Sequence, residues 1–230
     1  MKKLIAGILV LIMALSLCAC FNDAPIRGEQ IIPNATENNI PVDGGEETEG
    51  PSLSLGEISG LTYESKFIGI GCQLPAHWCF YTDEQIREIN NFTVDAAGEE
   101  LQQAAENATI IYDMMASDGD GMSNIAVNLE KVDPLQLVLM DVRTNLENTI
   151  PMMQTGLENL GYTDVVCTVD TVTIDDREFD CLYTNSVISG FQMYQCTISI
   201  KCNGYLASIA VTAFGQEELN ELLDGFYLVS

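Results

Sequence analysis

The 230-residue chain is 47% hydrophobic and 19% charged, a globular composition, but its 34 acidic residues face only 9 basic ones, for a net charge of −25. Such a surface is repelled by nucleic acid phosphates and anionic headgroups, which excludes nucleic acid as a partner. The acidity does not by itself identify a cationic ligand.

Residues 1–19 read as an export signal. Lys2 and Lys3 precede an uninterrupted apolar or small stretch from Leu4 to Ala19, and its 16 residues are short for a membrane span. The end, Leu17-Cys18-Ala19-Cys20, resembles the bacterial lipobox, with an aliphatic residue at −3, a small one at −1 and cysteine at +1. Cys20 fits as the lipid-bearing first mature residue. Cys18 does not, because it would put Leu17 where a small side chain is needed. A single acyl chain holds only marginally, at about 0.8 kcal/mol per CH₂, whereas two or three on Cys20 make the attachment stable. The expectation is a chain anchored by lipid to the outer, extracytoplasmic face of a bacterial cell membrane. Loss of Lys2 and Lys3 would leave 7 basic residues and a charge near −27.

Residues 20–56 carry the lipidated end and then a tether. The run 41-PVDGGEETEGPSLSLG-56 mixes Gly, Pro, Ser and acidic residues without an apolar period, as a disordered linker does. The roughly 36 residues from Phe21 to Gly56 give a reach of roughly 30–36 Å.

Residues 57–230 form one domain large enough for a core without covalent staples. The stretch 62-TYESKFIGIGCQLP-75 predicts paired strands ending at Pro75. Thr82-Asp83-Glu84-Gln85 is a capping box opening a helix with Ile86 and Ile89 inward, and an alanine-rich helix is expected over 96–107. Strands near 109–116 and 123–131 follow, joined through 117-SDGDG-121. Asp133-Pro134 starts a long helix whose stripe is Leu135, Leu139, Val142, Leu146, Ile150, Met153, Leu157 and Leu160, with Gly161 as terminator and a kink or split at Pro151. The last third predicts strands at 165–169, 171–174, 179–187, 192–202 and 205–213, with turns at Asp175-Asp176, Ser189-Gly190 and Asn203-Gly204, and a closing helix packing Leu219, Leu222 and Leu223. This order argues for the α+β class, an antiparallel sheet flanked by helices.

The pattern 63-YESKFIGIGCQLPAHWCFYTDEQIREIN-90, the hairpin ending 123-SNIAVNLEK-131, the long helix, the strand meander and the C-terminal helix resemble bacterial lipoproteins with a PsbP-like (Mog/PsbP/DcrB-type) fold. The resemblance implies an α/β/α sandwich and a binding or assembly factor. It carries no catalytic motif to these residues.

Candidate chemistry is sparse. His77 is the only histidine, so a zinc site with two imidazoles is impossible and any Cys–His mechanism must pair it with Cys79. A surface His77 beside a packed Trp78 is the plainer expectation. The domain holds Cys72, Cys79, Cys167, Cys181, Cys196 and Cys202 without a C-x-x-C, so both small core residues and disulfides stay open. Counting from the Asn203-Gly204 turn sets Cys202 opposite Tyr205, Cys196 opposite Val211, and Cys181 near Ile198, diagonal to Cys196. Asp118 and Asp120 fail the EF-hand pattern, since position 6 is Ser123 and position 12 Leu129, which leaves a hairpin turn or weak adventitious calcium binding. Met114-Met115 and Met152-Met153 read as core or as a soft groove. No catalytic, cofactor or metal residue is assigned, and lipidation at Cys20 is the one chemical role. The expected function is a non-catalytic binding or assembly module for an unspecified protein or small molecule; the alternative is an exported hydrolase.

Overall fold

The Asn203-Gly204 turn sets the register of the C-terminal sheet. Asn203 and Gly204 have φ of 30° and 83°, the left-handed pair that a two-residue hairpin needs. They place Cys202 opposite Tyr205 and Cys196 opposite Val211, and the next hairpin sets Cys181 opposite Ile198. In the computed structural model, which describes residues 53–86, 110–119 and 121–230, these strands belong to a seven-stranded antiparallel sheet.

In chain order the strands are β1 (Glu57–Ser59), β2 (Thr62–Ser65), β3 (Ile70–Gln73), β4 (Cys79–Phe80), β5 (Ile110–Ser117), β6 (Asn124–Lys131), β7 (Thr163–Ile174), β8 (Arg177–Ile188), β9 (Phe191–Cys202), β10 (Tyr205–Ala213) and β11 (Phe226–Leu228). The helices are α1 (Pro134–Leu139), α2 (Val142–Asn159) and α3 (Gln216–Asp224). The large sheet runs β4-β5-β6-β10-β9-β8-β7 and a second, four-stranded sheet runs β1-β2-β3-β11. The fold is α+β, with helices on both faces of the large sheet.

One face of the large sheet makes the main core. Met114, Val127, Leu129, Cys181, Cys196, Ile198, Ile209 and Val211 pack there with Tyr63, Ile70 and Trp78 and with Leu219, Leu222 and Leu223 of α3. Phe67 meets Tyr205 edge-on at 5.6 Å between ring centroids, joining the small sheet's hairpin to β10. The opposite face is covered by α2 through Leu146, Met153, Leu157, Leu182 and Met193.

The 134–160 stretch is two helices, and the break is not at Pro151. Met140 is extended (ψ 127°), and Asp141 caps α2 by accepting from Thr144 N at 2.8 Å. That break resets the helical phase. α1 buries Leu137 against Val132 and Leu206, and leaves the expected inward residues Leu135 and Leu139 exposed. α2 runs unbroken through Pro151. Pro151 and Glu147 both face solvent, so the Glu147 carbonyl that loses its donor can turn to water. Gly161 ends α2 with φ 89°; Tyr162 N donates to Leu157 O and Gly161 N to Glu158 O, the two bonds of a Schellman motif. The capping box also forms, with Gln85 N donating to Thr82 Oγ1 and Thr82 N to Gln85 Oε1. Ile86 is buried there, while Ile89, the 96–107 helix, the tether and Cys20 lie outside the described residues.

Candidate functional site

The residues singled out for chemistry do not assemble. His77 lies exposed in the turn after Leu74-Pro75, where Trp78 N donates to Pro75 O, and Trp78 itself is buried. Among the described residues no hydrogen bond joins His77 to Cys79. Burial pushes the Cys79 thiol up, against a hydrogen bond with Ser117 and with the Asp118 charge adding to the rise. A thiol held protonated is the reverse of an activated nucleophile.

Asp118 closes the β5–β6 turn. Its carboxylate accepts from Met122 N at 2.8 Å and its carbonyl from Gly121 N at 3.1 Å, the work of a hairpin residue. Asp120 lies outside the described residues. Among the described residues no cluster of three or more His, Cys, Asp or Glu could hold a metal ion.

The six cysteines among the described residues are free thiols. Cys181 and Cys196 are diagonal neighbours whose thiols hydrogen-bond; that bond, then burial, raises Cys196 well above the ordinary thiol range. Burial raises Cys72 to about 12 and Cys202 to about 11. Cys167 lies 3.7 Å from Thr184 Oγ1. Met114, Met115 and Met153 are buried core, not a groove.

A half-buried carboxylate ties the sheets together. Asp113, at the bulge of β5, accepts from Tyr63 Oη and from Gly56 N, both at 2.7 Å. Burial raises its carboxyl and these donors oppose the rise.

The chemically unusual region is the helix-covered face of the large sheet. Tyr112, Asn128, Ser208 and Ser199 stand directly opposite one another across β5, β6, β10 and β9. Four residues away along β6, a second row reads Ser117, Asn124, Thr212, Gln195, Thr184 and Cys167. In the second row Gln195 Nε2 donates to Thr212 Oγ1 at 2.7 Å. In the first row Asn128 Nδ2 and Oδ1, Ser199 Oγ and Ser208 Oγ are buried without a hydrogen bond, as are the neighbouring Thr197 Oγ1 and Glu130 Oε2. Buried polar atoms are satisfied in about nine cases of ten, so six such atoms on one sheet face call for an explanation. Burial raises the Glu130 carboxyl to about 8, which keeps it in its neutral acid form at pH 7. The belt therefore offers donors and acceptors without net charge.

Sequence reasoning missed this belt. In 124-NIAVNLEK-131 polar and apolar residues alternate, which reads as one buried and one solvated face. The signal available was the helix predicted after it, which needed a face to cover.

No protein-family model matches the chain, and no curated protein matches it. Among solved structures, the chain is similar to the crystal structure of LpqN, involved in cell envelope biogenesis of Mycobacterium tuberculosis, at 11% identity and a TM-score of 0.36, over 70% of this chain and 83% of that one. At that distance the likeness transfers neither fold detail nor function. Among the described residues, no helix is long and apolar enough to cross a membrane.

Proposed function

We propose that the chain is a lipid-anchored, extracytoplasmic binding module of PsbP-like type, non-catalytic, which receives a neutral polar ligand or partner segment on the helix-covered face of the large sheet. The observation that carries the reading is the set of unpartnered polar atoms on Asn128, Glu130, Thr197, Ser199 and Ser208. Left unmade, each such hydrogen bond costs about 1–3 kcal/mol, a penalty that a bound polar group would relieve. The lipobox at Cys20 and the acidic tether support placement on the outer membrane face.

Two experiments test it. Cys20→Ala should abolish labelling by a radioactive fatty acid and leave the precursor uncleaved, while Cys18→Ala should do neither; labelling that survives Cys20→Ala sinks the anchor. Cross-linking in intact membranes should capture a recurrent partner, and an Asn128→Ala/Ser208→Ala chain with unchanged circular dichroism should lose it. A wild-type chain that stays alone under those conditions counts against the module.

One observation favours a second reading, an exported hydrolase: Glu130 is a buried acid raised into the range of a general acid. Under that reading Glu130→Gln abolishes turnover of an exported substrate.

A further inference from the structure

α1 presents an apolar ridge to solvent. Leu135, Val138 and Leu139 lie at i, i+3 and i+4, one side of the helix, and are 68%, 76% and 76% exposed. Leu137, on the other side, is the residue that holds the helix to Val132 and Leu206. A convex ridge has no groove for a peptide to enter; it suits a soft surface that closes around it.

The charge around it is unusual for this chain. The described residues hold five cationic side chains, Lys66, Lys131, Arg143, Arg177 and Lys201. Three of them flank α1. Lys131 ends β6 just before it, Lys201 Nζ donates to Met140 O at 2.9 Å, and Arg143 sits in the first turn of α2. Four acidic groups, Asp133, Asp141, Glu147 and Asp180, share this end, so its charges nearly balance where the rest of the surface is strongly negative. Asp133 accepts from Leu135 N and Gln136 N, Asp141 accepts from Thr144 N, and Asp180 lies 3.5 Å from Arg143, with Glu147 at 4.0 Å. Elsewhere the surface is heavily acidic, as in Glu217, Glu218 and Glu221 of α3. A membrane that repels the bulk of the domain will find this end the least repelled.

The attachment point agrees. Near its described start the chain is held at Gly56, whose N–H donates to Asp113 on β5, between the residues paired with Asn128 and Val127. That is three or four residues from Lys131, roughly 10–13 Å along the strand.

We propose that α1 is a membrane-contacting tip: Leu135, Val138 and Leu139 enter the headgroup–acyl boundary of the bilayer that holds the lipid anchor, and Lys131, Lys201 and Arg143 meet headgroup phosphates. The inference rests on the anchored-module reading above and adds an orientation to it. Interfacial helices of this kind sink their apolar side about 5–10 Å, with cationic side chains snorkelling to the phosphates.

The test uses the full lipidated chain reconstituted in vesicles of phosphatidylcholine and phosphatidylglycerol carrying brominated acyl chains. Val138→Trp adds one indole on the ridge. Val166→Trp adds one on β7, at the far edge of the sheet, where Val166 is 57% exposed; Trp78 is a buried background common to both. The expected result is that bromine quenches about half or more of the emission added by Val138→Trp, at the depth an interfacial helix reaches, and none of that added by Val166→Trp. Flotation of the same samples reads the anchor separately. Chains that float without quenching overturn the tip and leave the anchor standing. A wild-type chain that does not float overturns both. A blue shift of the Val138→Trp emission without bromine quenching assigns the ridge to a second copy, and that also overturns the proposal.

Discussion

Glu130→Gln is the substitution with the most to say about the polar belt. Glu130 is 3% exposed, with Oε2 unpartnered, and burial raises its carboxyl from the ordinary 4.5 to about 8. Between those two values the folded chain holds a proton that the unfolded chain has released. Stability contributed by this group is therefore fully present below pH 4.5 and is lost as pH rises towards 8, with no further loss above it. At ~1.4 kcal/mol per pH unit the loss reaches roughly 4–5 kcal/mol. Gln cannot ionise, so the Glu130→Gln chain escapes this loss while sharing every other titrating group. The stability difference between the two chains should widen by about 3–4 kcal/mol in favour of Gln between pH 5 and pH 8. For a domain of this size that is roughly 6–16 °C in Tm at the alkaline end. Urea unfolding of both chains at pH 5, 6, 7 and 8 measures it. The buried amide adds an offset that is constant with pH, so the slope carries the conclusion. Parallel stability curves across that window would refute the claim that Glu130 is held neutral by burial.

The other expectations concern single contacts. Ser208→Ala removes a buried hydroxyl that has no partner, so it should be neutral or stabilise by up to about 1 kcal/mol in urea unfolding; a loss of 2 kcal/mol would reveal a hydrogen bond there. Tyr63→Phe strips one of the two donors from Asp113 and should cost about 1–3 kcal/mol by the same measurement, most of it recovered in Tyr63→Phe/Asp113→Asn. Gly161→Ala forces a side chain into φ 89° and should cost ~1–2 kcal/mol, with fraying of the last turn of α2 visible in amide exchange. With its thiol buried and raised, Cys196 should resist iodoacetamide at pH 8 in the native chain and react only after unfolding.

Local chemistry in the sequence foretold the elements that local chemistry builds. Asn203-Gly204 dictates a register, so the partners of Cys202, Cys196 and Cys181 could be counted residue by residue, and Asp133-Pro134, Thr82-Gln85 and Gly161 mark helix ends through bonds made within a few residues. The break at Met140-Asp141 was legible in principle, because Asp141 three residues before Thr144 is a capping signal. It was masked by a leucine stripe that continues across it in phase. β11 had no local signature at all: its three residues are a strand only because Phe226, Tyr227 and Leu228 find Cys72, Gly71 and Ile70 far away in sequence. The polar belt was hidden for the same reason. Whether Asn128 and Glu130 meet water or a helix is decided by what packs on the sheet, and alternation along one strand is blind to that.

The Gly56–Asp113 contact also decides how the domain answers to pulling. On the proposed anchored reading, drag and partner load reach the domain as tension on its N-terminal end, and that tension passes from Leu53 to Gly56. Behind it lies β1, three residues long at the edge of the small sheet and paired only with β2. Load applied there opens those pairs one after another, the weakest way to load a strand, whereas β10, between β6 and β9, would resist in concert. Gly56 lies ahead of β1, so its bond to Asp113 gives way first, and the bond from Tyr63 Oη to Asp113, one strand further in, forms the stop: tension can peel away β1 while the large sheet and its polar belt keep their shape.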